Sequence, residues 1–128
     1  MHSITGIDIK KLMSEIQDPD VVPVCLHGTT LDSFKTIVAS GRLDRMKRTA
    51  IQMAIGPYGC GDVTSGVRSS SEVYIYIDVV SAMRDGLKFY RSSNGVICCE
   101  GPIPLRYFLR VIEIKTGKEV QTGNVLGI

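Results

Sequence analysis

Histidine is scarce in this chain, and the two it has, His2 and His27, are far apart. Its four cysteines, Cys25, Cys60, Cys98 and Cys99, form no C-x-x-C pair. A structural zinc site draws on such pairs or on grouped imidazoles, so no metal is expected. Charge of one sign is missing as well. Fifteen Lys and Arg against 13 Asp and Glu leave a formal net charge of +2, which implies no broad cationic field for nucleic acid. No apolar run is long enough to cross a bilayer, and the first residues lack the basic-then-apolar order of a secretion signal. A membrane is therefore not an expected partner. Internal repeats and low-complexity stretches are absent too. Cys98 and Cys99 are neighbours in an apolar run whose alternation sends their side chains to opposite faces, so buried free thiols are expected rather than a disulfide. A reducing, intracellular setting, cytoplasmic or nuclear, fits that usage.

What is present reads as an ordinary globular domain: 128 residues, 44% hydrophobic and 22% charged. Residues 1–21 form an entry segment in which Ile9, Leu12, Met13 and Ile16 recur at helical spacing until Asp18-Pro19-Asp20 breaks the pattern. Residues 22–128 form the main domain. Residues 21–26 are apolar and β-branched, a buried strand. Thr30 is placed to cap a helix that Gly41 ends, with Leu31, Phe34, Ile37 and Val38 on its buried face. A basic loop over 42–48 leads to a short strand over 50–54. Residues 55–71 are rich in glycine and read as a long loop, a length usually kept for function. A strand over 73–77 ends at Asp78, and a short helix over 80–84 stops before Gly86. Residues 87–90 and 96–99 are two strands around a Ser-Ser-Asn-Gly turn, in which Asn94-Gly95 favours positive φ. A helical turn over 104–108 and a last strand over 109–114 complete the pattern. Short strands with two or three small helices define an α+β domain of two packed sheets.

Three motifs carry chemistry. Val24-Cys25-Leu26-His27-Gly28-Thr29-Thr30 puts an imidazole at the end of an apolar run, just before a helix. An imidazole can both donate to and accept from hydroxyls, though a core histidine satisfied by its neighbours has the same sequence. Ser65-Gly66-Val67-Arg68 sets an arginine before a strand, where a guanidinium can grip phosphate in a bidentate way; an exposed loop arginine reads alike. Arg91-Ser92-Ser93-Asn94-Gly95-Val96 lets backbone approach a ligand closely, or is simply a hairpin turn. Arg45 and Arg48 in the basic loop suit phosphate or plain solvation equally.

In this order and spacing, the three motifs resemble those of the NAD-dependent RNA 2'-phosphotransferases, which remove the splice-junction 2'-phosphate from tRNA. The resemblance covers roughly residues 22–111. It implies an ADP-ribosyltransferase-like split pair of small β-sheets with NAD, the co-substrate, in the cleft between them. On that resemblance His27, Gly28 and Thr29 take the adenosine ribose side. Arg68 belongs to the catalytic set and grips the RNA 2'-phosphate, with Ser65 and Gly66 beside the cofactor. Arg91, Ser92, Asn94, Gly95 and Val96 take the nicotinamide end, and Arg45 and Arg48 meet RNA phosphates. The implied reaction has two steps. The 2'-phosphate attacks C1'' of the nicotinamide ribose and nicotinamide leaves; the adjacent ribose hydroxyl then attacks phosphorus, releasing RNA and ADP-ribose 1'',2''-cyclic phosphate.

Two departures qualify the resemblance. Family members usually carry a His-x-His pair where this chain has Ala50 and Gln52. The complete enzymes also have an N-terminal lobe ending near Gly-His-Ser-Ile, and this chain opens with Met1-His2-Ser3-Ile4. The chain thus reads as a fragment, as a natural single-lobe member, or as a protein completed by a separate lobe or partner protein, with Arg68 the one catalytic-set member in this chain. The alternatives are a single-lobe ADP-ribosyltransferase for another acceptor, and a nucleotide-binding module without chemistry.

Overall fold

The computed structural model describes residues 13–45, 50–56, 71–92 and 95–120. Ser14–Glu15 is a short edge strand, β1. The helical spacing over residues 9–16 has only its end among the described residues, and there the backbone is extended. The reason is a long-range ladder: Ser14 and Glu15 pair with Arg91 and Tyr90, and the Ile16 amide donates to the Phe89 carbonyl at 2.8 Å. One amphipathic turn is too weak a preference to resist that.

Pro19–Val21 is a 3-10 turn capped by Asp18, whose carboxylate accepts from the Asp20 amide at 3.0 Å. The strand expected over 21–26 starts later. Pro23 has no amide to give a ladder, so strand β2 spans Leu26–Thr29 and takes in the His-Gly-Thr motif. Helix α1, Leu31–Ser40, has the caps its sequence predicts. Thr30 Oγ1 accepts from the Ser33 amide at 3.1 Å, and Gly41 adopts φ +83 at the other end. Arg42–Leu43 is strand β3, a short pairing within the expected basic loop, and Ile51–Met53 is β4.

Val73–Ile77, β5, leads through Asp78 into helix α2, Val79–Arg84. Strands β6 (Tyr90–Arg91) and β7 (Ile97–Cys99) flank the expected turn. Strand β8 (Ile103–Pro104), a 3-10 turn over Leu105–Tyr107, strand β9 (Phe108–Glu113) and strand β10 (Glu119–Val120) follow.

These strands make two four-stranded antiparallel sheets, ordered β1-β6-β7-β4 and β10-β9-β5-β2, and a small β3-β8 pair. The two larger sheets touch at one antiparallel bridge, Leu26 with Ala54, through amide–carbonyl bonds of 2.9 and 2.8 Å. Beyond it β2 and β4 belong to different sheets. This is the α+β architecture of small antiparallel sheets and short helices that the sequence pattern predicts.

The main core lies between the two larger sheets and helix α1, with smaller buried clusters outside it. Val73, Ile75 and Ile77 of β5 meet Phe34 and Ile37 of α1, Val111 of β9, and Ile51, Met53, Ile97 and Cys99 of the other sheet. Complete burial of each such aliphatic side chain contributes about 2 kcal/mol. Strand alternation separates the vicinal cysteines as expected. Cys99 joins this core, while Cys98 packs on the opposite face with Ala50, Tyr90 and Val96. Cys25, Cys98 and Cys99 are all free and buried.

Candidate functional site

His27 stands one residue past the bridge that joins the two sheets. Its Nδ1 lies 2.9 Å from the Gln52 carbonyl on β4, so the ring spans from one sheet to the other. A carbonyl can only accept, so Nδ1 carries a proton in this contact. The ring is half-buried, not sealed in the core. Gln52 occupies one of the positions where the resemblance leads one to expect a histidine. Its contribution comes from the backbone, which the side-chain difference does not remove. The other such position, Ala50, is buried with Val96 and Tyr90 in the small apolar cluster under the β6–β7 turn.

The corner from β2 into α1 is held from two directions. Thr30 caps the helix locally, and the Leu31 amide donates to Glu72 Oε1 at 3.0 Å. The Glu72 amide in turn donates to the Thr29 carbonyl at 2.8 Å. Gly28 and Thr29 are half-buried within β2, opposite Tyr74 and Val73.

The second motif is placed by the β6–β7 turn. The Ser92 amide donates to the Val96 carbonyl at 2.9 Å, and Ser92 Oγ accepts from the Val96 amide at 3.1 Å. The Gly95 amide closes the turn on the Ser92 carbonyl at 3.0 Å. Gly95 sits at φ +87, a conformation open chiefly to glycine, and among the described residues a Cβ built on it meets nothing within 4 Å. Arg91 is exposed on β6 and Val96 is buried beneath the turn. Arg45 is exposed after β3. Arg48, Ser65, Gly66, Arg68 and Asn94 lie outside the described residues.

The thiols around the sheet junction are poor nucleophiles. Burial pushes the Cys25 thiol far above its usual range, and Cys25 Sγ approaches Met53 Sδ at 3.5 Å. Burial also pushes Cys99 up to about 11, against a weaker opposing bond from the Gly101 amide, and it raises Cys98. All three stay protonated near neutral pH. Among the described residues no three His, Cys, Asp or Glu side chains gather as a metal site, and no helix is long and apolar enough to cross a membrane.

Sequence reasoning missed the two groups that fix the first motif. The Gln52 carbonyl carries no sequence signal, because every residue has one. Glu72 lies 41 residues beyond Leu31, too far for a capping pattern to show.

The fold and site thus define an α+β domain with a histidine poised where two small antiparallel sheets part. Residues 1–101 match the model of the RNA 2'-phosphotransferase, Tpt1 / KptA family, and the chain belongs to that family. A Schizosaccharomyces pombe protein carrying the tRNA 2'-phosphotransferase name is 44% identical over 128 residues, which is 98% of this chain and 32% of that protein. The tRNA 2'-phosphotransferase 1 of Danio rerio is 39% identical over 100 residues, 78% of this chain and 44% of the relative. The tRNA 2'-phosphotransferase of Saccharomyces cerevisiae is 38% identical over 114 residues, 87% of this chain and 49% of the relative. The chain therefore spans less than half the length of these relatives.

Proposed function

We propose that the chain forms the NAD-binding part of an RNA 2'-phosphotransferase, moving the 2'-phosphate of a spliced tRNA to NAD. The observation that carries this reading is the placement of His27: a family motif whose ring is held through Nδ1 by the Gln52 carbonyl of the other sheet, where the two sheets part. NAD fits the residues present. An imidazole suits a ribose hydroxyl, and the glycine at position 95, with no Cβ, admits close backbone approach.

In this reading His27, Gly28 and Thr29 hold the adenosine ribose, and Arg91, Ser92, Asn94, Gly95 and Val96 hold the nicotinamide riboside. Arg68 grips the 2'-phosphate, with Ser65 and Gly66 beside it, and Arg45 and Arg48 meet neighbouring phosphates. Bound NAD supplies a ribose carbon with a good leaving group, nicotinamide. The residues would supply orientation and positive charge: Arg68 would align a phosphate oxygen with C1'' and balance the negative charge on the phosphoryl oxygens as the phosphate is transferred. In the second step Arg68 would hold the phosphoryl group while the RNA oxygen is released as a hydroxyl, its proton balanced by the one given up by the ribose hydroxyl that replaces it on phosphorus. A second lobe or partner protein completes the catalytic set.

A module that holds NAD without turnover is the second reading. Ala50, buried under the β6–β7 turn at a position where the family usually has histidine, favours it. Incubation with NAD and a short RNA bearing one internal 2'-phosphate separates the two. Release of nicotinamide with ADP-ribose 1'',2''-cyclic phosphate supports the first. NAD binding without products, even after the N-terminal lobe of a relative is supplied in trans, supports the second, and an absence of NAD binding rejects both.

A further inference from the structure

Glu72 is anchored at three points. Its amide donates to the Thr29 carbonyl at 2.8 Å, and its carbonyl accepts from the Ile114 amide at 3.0 Å. From that base the side chain crosses to helix α1, where Oε1 accepts from the Leu31 amide at 3.0 Å. The first amides of a helix have no partner within it, and Thr30 Oγ1 already serves Ser33. Glu72 thus takes a donor that the local cap cannot reach.

A stability role accounts poorly for this arrangement. The carboxylate is exposed, and an exposed charge at a helix end contributes little to folding. Helix α1 already has a cap at each end, Thr30 and Gly41. What the bond does fix is direction. It sets how the chain leaves β2, immediately after His27, Gly28 and Thr29, relative to β5. The opposite side of the motif is set by the Gln52 carbonyl from the other sheet. The motif is clamped once from each sheet, and only one of the two clamps is a side chain that mutation can remove.

We infer that Glu72 is a positioning residue for the NAD site, acting through the Leu31 amide to hold His27 and Thr29 in their binding geometry. The inference rests on the NAD reading above. Displacements of about 1 Å in such a site weaken function far more than they weaken folding.

NAD titration by calorimetry, beside urea unfolding, tests it on the whole chain. Glu72→Ala should weaken NAD binding about tenfold while leaving the urea midpoint nearly unmoved. Glu72→Gln keeps an oxygen acceptor and should restore the affinity. Leu31→Pro removes the same bond from the donor side; proline is tolerated at the first helical position, and Thr30 at φ -88 and ψ 163 is a compatible predecessor. Leu31→Pro should lose NAD affinity to a similar degree, and adding Glu72→Ala to it should lose no more. Glu72→Ala binding NAD like the parent chain overturns the inference and leaves the NAD reading standing. Equal losses in the Gln and Ala variants overturn it too, since charge and not position would then matter. A parent chain that fails to bind NAD removes the NAD reading, and this role falls with it.

Discussion

The two described motifs reach the same end by opposite means. Among the described residues, the hydrogen bonds that close the Ser92–Val96 turn join residues at most four apart, and a positive-φ glycine completes it. The His27 corner is held from far away, by a carbonyl 25 residues distant and a carboxylate 41 residues distant. A locally built site survives as long as its turn does. A site built from distant partners depends on the whole fold being correctly registered, which suits a ligand that must span two sheets.

That contrast can be broken in graded ways. The largest effect is expected at the local site. Gly95→Val forces a β-branched residue to φ +87 and should cost about 2–3 kcal/mol in urea unfolding, with NAD affinity falling in parallel. A neutral outcome would mean that the turn takes another form and is not self-built. His27→Ala should behave differently. NAD affinity should fall about tenfold or more, near 1.4 kcal/mol, with little change in the urea midpoint, because the ring is only half-buried. Unchanged NAD affinity with reduced stability would make His27 a structural residue.

Thr30→Ala removes the local cap of α1 and should cost about 1 kcal/mol of stability. NAD affinity should fall by less than in Glu72→Ala; the reverse order would place control of the corner in the local cap. Alkali perturbs the core that both motifs share. Cys99 lies at the end of β7, in the main core between the sheets, with its thiol raised from about 9 to about 11 by burial. A raised acid keeps its proton longer in the fold than in the unfolded chain, so its contribution is complete below pH 9 and disappears as pH rises through 11. The urea midpoint should therefore decline across that window. A flat profile from pH 8 to 11 would contradict the burial of the thiols.

Much of the local structure was legible in the residues. Thr30 and Gly41 mark both ends of α1 because capping chemistry is local, and the alternation of Val73, Ile75 and Ile77 marks β5. The strand leading into His27 was expected some five residues early, since β-branched composition outweighed the missing amide of Pro23. β1 was not legible at all. Its two residues are strand only because Tyr90 and Arg91 offer an edge.

By itself, then, the sequence determined the α+β class, the helix caps, the glycine turn and the family motifs, all of which depend on neighbours within a few residues. Only the tertiary structure decided that His27 bridges two sheets, which of its nitrogens carries the proton, and that Glu72 braces the corner beside it. Those outcomes depend on a backbone carbonyl and a carboxylate brought close by strand pairing, and no local pattern of side chains encodes where distant backbone atoms will lie.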